Sequence, residues 1–408
     1  MSVSLSRISQ LSMQRSLVGE INKQQAEIAR TQQEVASGRR TLTDPAQVAS
    51  VRALERFVAD SERYAKSSDV LAYRLGLGEG VLGSAVDILQ RVRELAVMSN
   101  NDGIEPYSQS VVATEVEALR EQLLGIANTR DALGEYLFAG SRVNEKPFVQ
   151  FSAGVAYQGD DLAREVRVAE SVRVRDSFPG SRIFSSIPQG NGSFVTSVAV
   201  GNSGTGYIDS GDLTDAAAWA GRAADRYVIV LVDDGTGGLN YEIRENDPSG
   251  TLIDSGAYRG GQQLHFLGVR IEIAAGGEAG DQFVVQAAGT EDVFATLQRF
   301  IDALNAPIQT GPQKARLTTE ISSILRQLDQ ALNATGLARS EFGTRLMVLE
   351  DAETFREDQR ALALESLSKL RDTDYAESVA KMQAQMTALQ VAQQTYSKFG
   401  ARTLFDYL

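Results

Sequence analysis

The distribution of proline constrains what this chain can fold into more than any other feature. All eight prolines lie between Pro45 and Pro312, and none occurs from residue 313 to the end of the sequence. Helix interiors exclude proline because it lacks a backbone N–H and its ring clashes with the preceding turn. The sequence therefore predicts long helices at both ends and a middle region that is rich in proline and glycine.

Both ends also carry apolar residues at heptad spacing. The N-terminal set is Leu11, Val18, Ile21, Ile28 and Val35, and the C-terminal set is Val379, Met382, Met386, Leu389 and Tyr396. This spacing is typical of coiled-coil helices with a narrow apolar seam. Gln25, Gln32 and Gln393 fall at predicted core positions, and a buried amide costs free energy unless it is hydrogen-bonded. We therefore expect each terminal helix to complete its core with the other and with neighbouring molecules.

Composition excludes several classes of function. The formal net charge is −13, whereas nucleic acids and anionic membranes are bound by basic surfaces. Hydrophobic residues make up 43% of the chain, enough for a sizeable core, and the absence of cysteine excludes disulfides. No apolar run approaches the ~20 residues that span a bilayer, and residues 1–7 lack the pattern of a secretory signal peptide. The chain would suit the cytoplasm or an export route without a cleaved signal.

Two long helices are predicted before residue 100. The first runs from about Ser4 to Ala36 and ends at Gly38, a natural C-cap, and Asp44 with Pro45 is a favourable start for the second. The glycines at 76, 78, 80 and 83 are expected to interrupt the second helix, since each costs about 1 kcal/mol relative to alanine. A third helix carries Val112, Val116, Leu119, Leu123 and Ile126 on one side.

The middle of the chain is predicted to be β-structure. Val166 and Val168, followed by Val172 and Val174, alternate with charged residues, which indicates a small β-hairpin. From Pro188 to Gly289 short apolar runs are separated by turn signals, as expected of an inserted all-β domain. The predicted strands are Tyr227–Val232, Leu239–Ile243, Leu264–Ile273 and Gln282–Val285.

Helices are predicted again from about Glu291, with one that ends near Gly336 and a last one from about Ser340 to Thr403. A bend or a solvated turn is expected at the acidic stretch Glu350–Glu353. The fold class is therefore mainly α with an inserted β domain: an antiparallel long-helix bundle formed by the N- and C-terminal segments, a small β-hairpin and an outer all-β domain. The predicted domains are a terminal coiled-coil domain (1–42 and 367–408), a helical-bundle domain with the hairpin (43–186 and 290–366), and an inserted β domain (187–289).

No residues show the spacing of a catalytic or cofactor-binding site. The single histidine, His265, is interpreted as a strand residue, because it has no partners at fixed spacing. The glycine-rich stretches Gly201–Gly206 and Gly235–Gly238 are not followed by phosphate-binding residues, so both are interpreted as hairpin turns. The chain is therefore predicted to be no enzyme and to need no cofactor.

The best candidates for a metal site are three aspartates in the β region. Asp209, Asp212 and Asp215 lack the spacing of a calcium-binding loop. They are interpreted as a turn followed by a helix N-cap, and no metal is predicted.

Four segments carry a resemblance to a known family. They are Val35–Arg40 with Asp44–Ala46, Gln90–Val97, Ala127–Asp131 with Gly134–Ser141, and Asp374–Glu377 with Leu404–Leu408. On these residues the chain resembles the flagellar hook-associated protein 3 family, flagellin-like proteins at the junction between the bacterial hook and filament. The first two segments occur in flagellins in looser form, whereas the third and fourth separate the junction proteins from filament flagellin.

The resemblance implies a structural role in the bacterial flagellum. It implies a ring of copies between a neighbouring hook-associated protein and the flagellin filament. It also implies extracellular localisation, type III export without a cleaved signal peptide, and an export chaperone on the C-terminal helix. The expected assembly interface consists of Leu11, Val18, Ile21, Ile28, Val35, Val379, Met382, Met386, Leu389, Tyr396, Phe405 and Leu408.

Two alternatives stay open at this point. Filament flagellin itself shares the terminal helices, and seeded polymerisation into long filaments would distinguish it from a junction protein. A secreted binding module whose β domain recognises glycan is less favoured, since Trp219 and scattered tyrosines are its only support.

Overall fold

The computed structural model describes residues 2–100, 106–152 and 154–401. The chain divides into two compact units. One contains the residues up to Lys66 and from Ala352 onward, and the other is Ser67–Asp351. The division into three domains stays a prediction.

Helices dominate the chain, as the sequence predicts. Within the described residues there are seven α-helices: α1 (Ser2–Ser37), α2 (Pro45–Ser99), α3 (Pro106–Ala127), α4 (Ala216–Ala220), α5 (Val293–Asn305), α6 (Gly311–Arg371) and α7 (Tyr375–Ala401). A short π-helical turn covers Ser181–Ser185. None of these described helices has the length and apolar character needed to cross a membrane.

The described strands lie between α3 and α5 in the chain, a region that also contains the short helix α4. They are β1 (Phe148–Phe151), β2 (Gly154–Tyr157), β3 (Glu165–Arg167), β4 (Arg173–Arg175), β5 (Ile187–Pro188), β6 (Phe194–Val198), β7 (Asp212–Leu213), β8 (Arg226–Asp233), β9 (Leu239–Glu245), β10 (Leu252–Ala257), β11 (Gln262–Phe266), β12 (Val269–Ile273), β13 (Gln282–Ala287) and β14 (Thr290–Glu291). A five-stranded sheet has the order β10-β9-β8-β13-β6 and a three-stranded sheet the order β11-β12-β7. Three two-stranded pairs are β1-β2, β3-β4 and β5-β14. The predicted fold class is confirmed.

The predicted end of the first helix and start of the second are confirmed. Gly38 follows α1 with a φ of 69°, a left-handed conformation that glycine adopts without a Cβ penalty. At the start of α2, the Asp44 carboxylate accepts a hydrogen bond from the Ala46 N–H at 2.9 Å. This satisfies one of the backbone donors that every helix start leaves free.

The expected interruption of α2 at its glycines is wrong, because the helix is continuous from Pro45 to Ser99. The reason is a close contact in the second unit. A Cβ on Gly78 would lie 2.1 Å from Cε1 of Phe342, a fully buried ring that also stacks on Phe178. Packing against an aromatic ring therefore offsets the low helix propensity of this glycine.

The helix end predicted near Gly336 and the bend predicted at Glu350–Glu353 are also wrong. α6 is continuous from Gly311 to Arg371, and the last predicted helix, from about Ser340 to Thr403, is divided between α6 and α7. The chain leaves the helix only at residues 372–374, where the Asp374 carboxylate accepts hydrogen bonds from the N–H groups of Ala376 and Glu377 at 2.9 and 3.1 Å. The break is set by this N-cap of α7, a stronger signal than one glycine or a run of acidic residues.

The core of the β region lies between the five-stranded and three-stranded sheets. Tyr227, Ile229 and Leu231 alternate along β8 and are fully buried in one cluster with Phe283 of β13 and Ile271 of β12. The period of two is the one expected for a strand with one face on a core.

The strand predicted over Leu264–Ile273 is two strands, β11 and β12. They pair in antiparallel fashion across a two-residue turn in which Leu267 and Gly268 have φ values of 46° and 76°. This conformation is that of a tight hairpin turn. Because only one glycine marks the turn, the apolar run reads as continuous.

The hairpin predicted around Val166 and Val174 is confirmed as β3-β4, in which these two residues are paired. The β1-β2 hairpin and the strands β6 and β10 have no counterpart in the sequence analysis. β1 and β2 have four residues each, and β6 pairs with β13 from the far end of the β region, so a local pattern does not reveal them.

Candidate functional site

The terminal helices α1 and α7 pack against each other in antiparallel orientation. Thr31 of α1 lies beside Gln385 of α7, whereas Gly38, beyond the end of α1, lies beside Tyr375 at the start of α7. The two helices are joined at this end by backbone hydrogen bonds between their flanking residues. Arg40 N–H donates to Arg371 O at 2.7 Å, and Thr373 N–H donates to Gly38 O at 3.0 Å.

The seam between these helices has alternating steps of four and three residues. On α1 the buried or half-buried positions at this spacing are Leu17, Ile21, Gln24, Ile28, Thr31 and Val35. On α7 the half-buried positions include Ser378, Met382, Gln385, Leu389 and Ala392. Only Ile28 and Thr31 fall below one-tenth exposure, at 8% and 3%. The helix pair alone therefore covers its seam incompletely.

The predicted interface residues divide into two groups. Those on the seam are Ile21, Ile28, Val35, Met382 and Leu389. Those that the seam leaves at the surface are Val18 (40% exposed), Val379 (36%), Met386 (46%) and Tyr396 (40%). The side chain of Leu11 and the whole of Phe405 and Leu408 lie outside the described residues. The second group consists of apolar side chains that the pair leaves exposed to solvent.

The glutamines predicted in the core are not there. Gln25, Gln32 and Gln393 are exposed, and the polar seam residues on α1 are Gln24 and Thr31. The prediction is wrong by one helical position, because Val18 was assigned to the seam although Leu17 occupies it. The one-residue offset affects alternate core positions, 17, 24 and 31, and rotates each by about 100° around the helix, whereas Ile21, Ile28 and Val35 lie on the seam.

The seam nevertheless has the polar character that the sequence predicts. The Thr31 hydroxyl donates to Oε1 of Gln385 at 3.0 Å across the helix pair. The Oε1 atom of Gln24 is buried without a hydrogen-bond partner. An unpaired buried carbonyl costs free energy, so this layer weakens the pair.

In the second unit, the segment after α3 is held by a buried network of charges that the sequence analysis missed. The Arg74 side chain is 5% exposed and forms ion pairs with Asp131 and with Glu135, the latter at 2.9 Å. It also donates to the backbone oxygens of Asp176 and Tyr136, at 3.0 and 2.9 Å. The only sequence signal was an arginine next to Leu75 on an apolar helix face.

A second arginine connects this network to the β3-β4 hairpin. Arg164 bonds to Glu135 at 2.8 Å and to Asp176 at 2.7 Å. The hydrogen bond from Arg164 holds the pKa of Glu135 below its ordinary value, against the opposing effect of burial. The same two carboxylates raise the pKa of the Arg164 guanidinium. Both shifts favour the charged forms of Glu135 and Arg164, and the ion pairs of the network connect the segment to α2 and to the hairpin.

The third segment of the resemblance, Ala127–Asp131 with Gly134–Ser141, therefore contributes to the stability of the second unit. The Asp131 carboxylate accepts hydrogen bonds from the N–H groups of Leu133 and Glu135, at 2.9 and 3.0 Å. Gly140 has a φ of 67°, and a Cβ there would lie 2.0 Å from the Asp160 carbonyl oxygen.

Two of the residues considered for a metal site, Asp212 and Asp215, have structural roles, and His265 lies at the surface. His265 is an exposed residue of β11, as predicted. Asp215 caps α4 by accepting from the N–H groups of Ala217 and Ala218, at 2.9 and 3.0 Å, which confirms the predicted N-cap. Asp212 forms ion pairs with Arg270 and Arg326. In the part of the chain that the structure describes, no group of three or more potential ligands could hold a metal ion.

Of the two glycine-rich stretches, one is a hairpin turn. Gly235–Gly238 joins β8 to β9, as predicted. The prediction for Gly201–Gly206 is wrong, because this stretch is a loop that follows β6, whose partner is β13. The buried Asp281 carboxylate holds the loop through the N–H groups of Ser203 and Gly204, at 2.9 and 3.3 Å.

The tryptophan that supported glycan recognition lies in the core. Trp219 is 4% exposed, belongs to the apolar cluster of the β region, and donates its indole N–H to Ser193 O at 3.1 Å. It offers no surface for stacking against a sugar ring.

Known proteins are similar to this chain in sequence and in structure. The family described as bacterial flagellin N-terminal helical region matches residues 8–143. The crystal structure of flagellar hook-associated protein 3 from Legionella pneumophila is similar, with a TM-score of 0.74 and 31% sequence identity, and the match covers 78% of this chain and 98% of that chain. Flagellar hook-associated protein 3 of Escherichia coli (strain K12) is 21% identical over 390 residues, which is 95% of this chain and 94% of that protein.

A flagellin also matches, over a much shorter length. Flagellin of Clostridium tyrobutyricum is 32% identical over 103 residues, which is 24% of this chain and 27% of that protein. The paired terminal helices and the match to the flagellin N-terminal region define a flagellin-like protein. The match to the Legionella pneumophila structure extends over almost all of that chain. The chain belongs to the flagellar hook-associated protein 3 family, and is therefore a structural component of the bacterial flagellum.

Proposed function

We propose that this protein joins the flagellar hook, through another hook-associated protein, to the flagellin filament. The observation that carries the proposal is the extent of the similarity. The match to hook-associated protein 3 of Escherichia coli includes 95% of this chain, whereas the match to a flagellin includes 24%. If the protein were a filament flagellin, only the second of these matches, over 24% of the chain, would be expected.

The half-closed seam supports a role that depends on other subunits. Val18, Val379, Met386 and Tyr396 are each more than one-third exposed on the outside of the α1-α7 pair. Burying such side chains stabilises a complex by about 25 cal/mol for each Å² of apolar surface. With Leu11, Phe405 and Leu408, these residues and those of the seam form the proposed assembly interface. The remaining members of that interface are Ile21, Ile28, Val35, Met382 and Leu389.

The proposed partners follow from the same surface. They are other copies of this chain in a ring, a neighbouring hook-associated protein, flagellin, and an export chaperone that covers the C-terminal helix before assembly. The protein leaves the cell through the flagellar type III apparatus without a cleaved signal peptide and acts outside the cell. It catalyses no reaction, and its work is mechanical.

The three-domain division is proposed together with this function. Residues 1–42 and 367–408 carry the assembly helices, residues 43–186 and 290–366 the helical bundle, and residues 187–289 the β domain.

The function is tested by expressing the chain in a flagellated bacterium that lacks its own junction protein. We expect filaments to be restored, as seen by electron microscopy and by swimming. Purified protein seeded with filament fragments should not grow long filaments. Long filaments in that assay would identify a flagellin and overturn the proposal.

The interface residues are tested by a double variant, Val379→Asp with Met386→Asp. A buried unpaired carboxylate is costly, so we expect filament attachment to be lost while the circular dichroism of the purified protein is unchanged. The control is Val200→Asp, since Val200 is 82% exposed in the β region. Wild-type attachment by the double variant would show that this surface does not contact other subunits.

A further inference from the structure

A polar groove of about 460 Å³ lies beside the α1-α7 pair in the first unit, and its charge is unusual for this chain. Its lining includes four basic residues, Arg30, Arg40, Lys369 and Lys381, against two acidic residues, Glu27 and Glu34. The sequence as a whole carries a formal charge of −13. A locally positive groove in an acidic protein attracts negatively charged groups and repels cations.

Most of these cations are not neutralised within the chain. Lys369 pairs with Glu365 at 2.6 Å. Arg30, Arg40 and Lys381 are exposed and form no ion pair among the residues that the structure describes. Arg30 donates only to the backbone oxygen of Thr41, at 3.3 Å. Among the described residues, three cationic side chains are therefore left without a salt bridge, against the carboxylates of Glu27 and Glu34, so the groove keeps a net positive charge towards another molecule.

The polar groups of the helix seam open into the same groove. Thr31 and Gln385, which bond across the helix pair, both line it. A partner in the groove would therefore contact α1 and α7 at once, close to the most deeply buried residues of their seam. Occupation of the groove would hold the two helices together.

We propose that this groove binds the acidic stretch Glu353–Asp358 of α6 in a second copy of the protein, an inference that rests on the proposed function. This stretch carries Glu353, Glu357 and Asp358 against a single Arg356. Glu357 and Asp358 are exposed and form no ion pair within the described part of the chain. Their charge complements that of the groove, and complementary charges determine which surfaces meet and in which register.

The groove and the acidic stretch are different surfaces of the same chain, so the proposed contact runs head to tail from each copy to the next. Each copy then offers its groove to one neighbour and its acidic stretch to another. Head-to-tail contacts of this kind generate rings or helical arrays. A ring of copies at a junction requires this property.

The first test uses the absence of cysteine. A chain with both Lys381→Cys and Asp358→Cys is expressed in the strain lacking its own junction protein, and isolated flagella are oxidised. We expect a ladder of disulfide-linked multimers on a denaturing gel, since each copy is linked to the next. Each single-cysteine variant should remain monomeric. A double-cysteine chain that gives only monomer or only dimer, or a single-cysteine chain that gives dimers, would overturn the proposed head-to-tail contact.

The second test reverses the charges. Arg40→Glu with Lys381→Glu should lower the junction protein retained per flagellum by about tenfold, as expected from the loss of two ion pairs. Adding Glu357→Lys and Asp358→Lys to the same chain should restore retention, and Arg259→Glu, at an exposed site in the β region, should have no effect.

The outcomes separate this inference from the function on which it rests. If the wild-type chain does not restore filaments, the proposed function fails and the groove contact falls with it. If the wild type restores filaments but charge reversal has no effect, or the fourfold variant is not rescued, only the groove contact is wrong.

Discussion

At the residue scale, the most consequential feature is a set of buried charges rather than any reactive group. Arg74 meets Asp131 and Glu135 where both Arg74 and Asp131 have side chains that are 5% exposed. Removing only one partner of such a pair destabilises the protein, because the remaining charge stays buried without a partner. The sequence alone could not identify it, since the partners lie more than fifty residues apart and meet only after folding.

Replacing Arg74 with methionine should destabilise the protein by about 3 kcal/mol, since Asp131 would be left buried and unpaired. The measurement is urea unfolding followed by circular dichroism. The matched control is Arg91→Met, because Arg91 pairs with Glu94 and Glu115 on the surface. Equal losses from the two variants would contradict the assignment of a buried network.

Glu135 should make the stability of the second unit depend on pH. Its pKa is lowered in the folded protein, chiefly by the hydrogen bond from Arg164, so its ionised form favours folding. This contribution is present above the ordinary glutamate pKa of 4.5 and is lost as the pH falls below it. The stability difference between wild type and Glu135→Gln should therefore shrink on acidification from pH 7. A difference that stays constant would exclude this role.

Two glycines of α2 should respond in opposite ways to alanine. Gly78→Ala places a Cβ against Phe342 and should destabilise the protein by about 2 kcal/mol. Gly76 is exposed, and a Cβ on it would have no other atom within 4 Å, so Gly76→Ala should stabilise by about 1 kcal/mol. Thermal unfolding of both variants gives the comparison. A stabilising Gly78→Ala would mean that the Phe342 ring moves aside at little cost.

At the element scale, the terminal helices show what a heptad pattern determines and what it leaves open. Their existence and pairing were predictable, because proline is excluded and apolar residues recur every three or four positions. The sequence does not determine which face of each helix forms the seam, since Leu17 and Val18 are both apolar and either fits a heptad. Only the packing of α7 against α1 selects Leu17, Gln24 and Thr31 for the seam.

The polar layer of this seam should limit the stability of the helix pair. Gln24→Leu replaces an unpaired buried carbonyl with an apolar group, which should stabilise the α1-α7 pair by about 1 kcal/mol. Gln25→Leu, at the adjacent exposed position, should leave it unchanged. Hydrogen exchange of the α1 amides is the measurement. No gain for Gln24→Leu over Gln25→Leu would place Gln24 outside the seam.

At the scale of the whole molecule, the sequence was most informative about the helices and least informative about strand pairing. The fold class follows from the position of proline and glycine. The pairing order of the five-stranded sheet does not, because β6 and β13 come from opposite ends of the β region. For the candidate interface, the sequence predicts the two helices and the polar character of their seam. It does not predict the groove with Arg40 and Lys381, which forms only when distant segments meet.

The two ends of the chain and its centre should differ in stability when the protein is monomeric. α5 has seven buried side chains in its thirteen residues, whereas the described side chains of α1 and α7 are mostly exposed, with Val18, Met386 and Tyr396 among them. Local opening is easiest where few apolar contacts must break. Amides of α1 and α7 in the purified monomer should therefore exchange much faster than those of α5, and they should become protected in assembled flagella. Strong protection of both terminal helices before assembly would mean that the pair needs no further subunits, and the exposed apolar surface would then require another explanation.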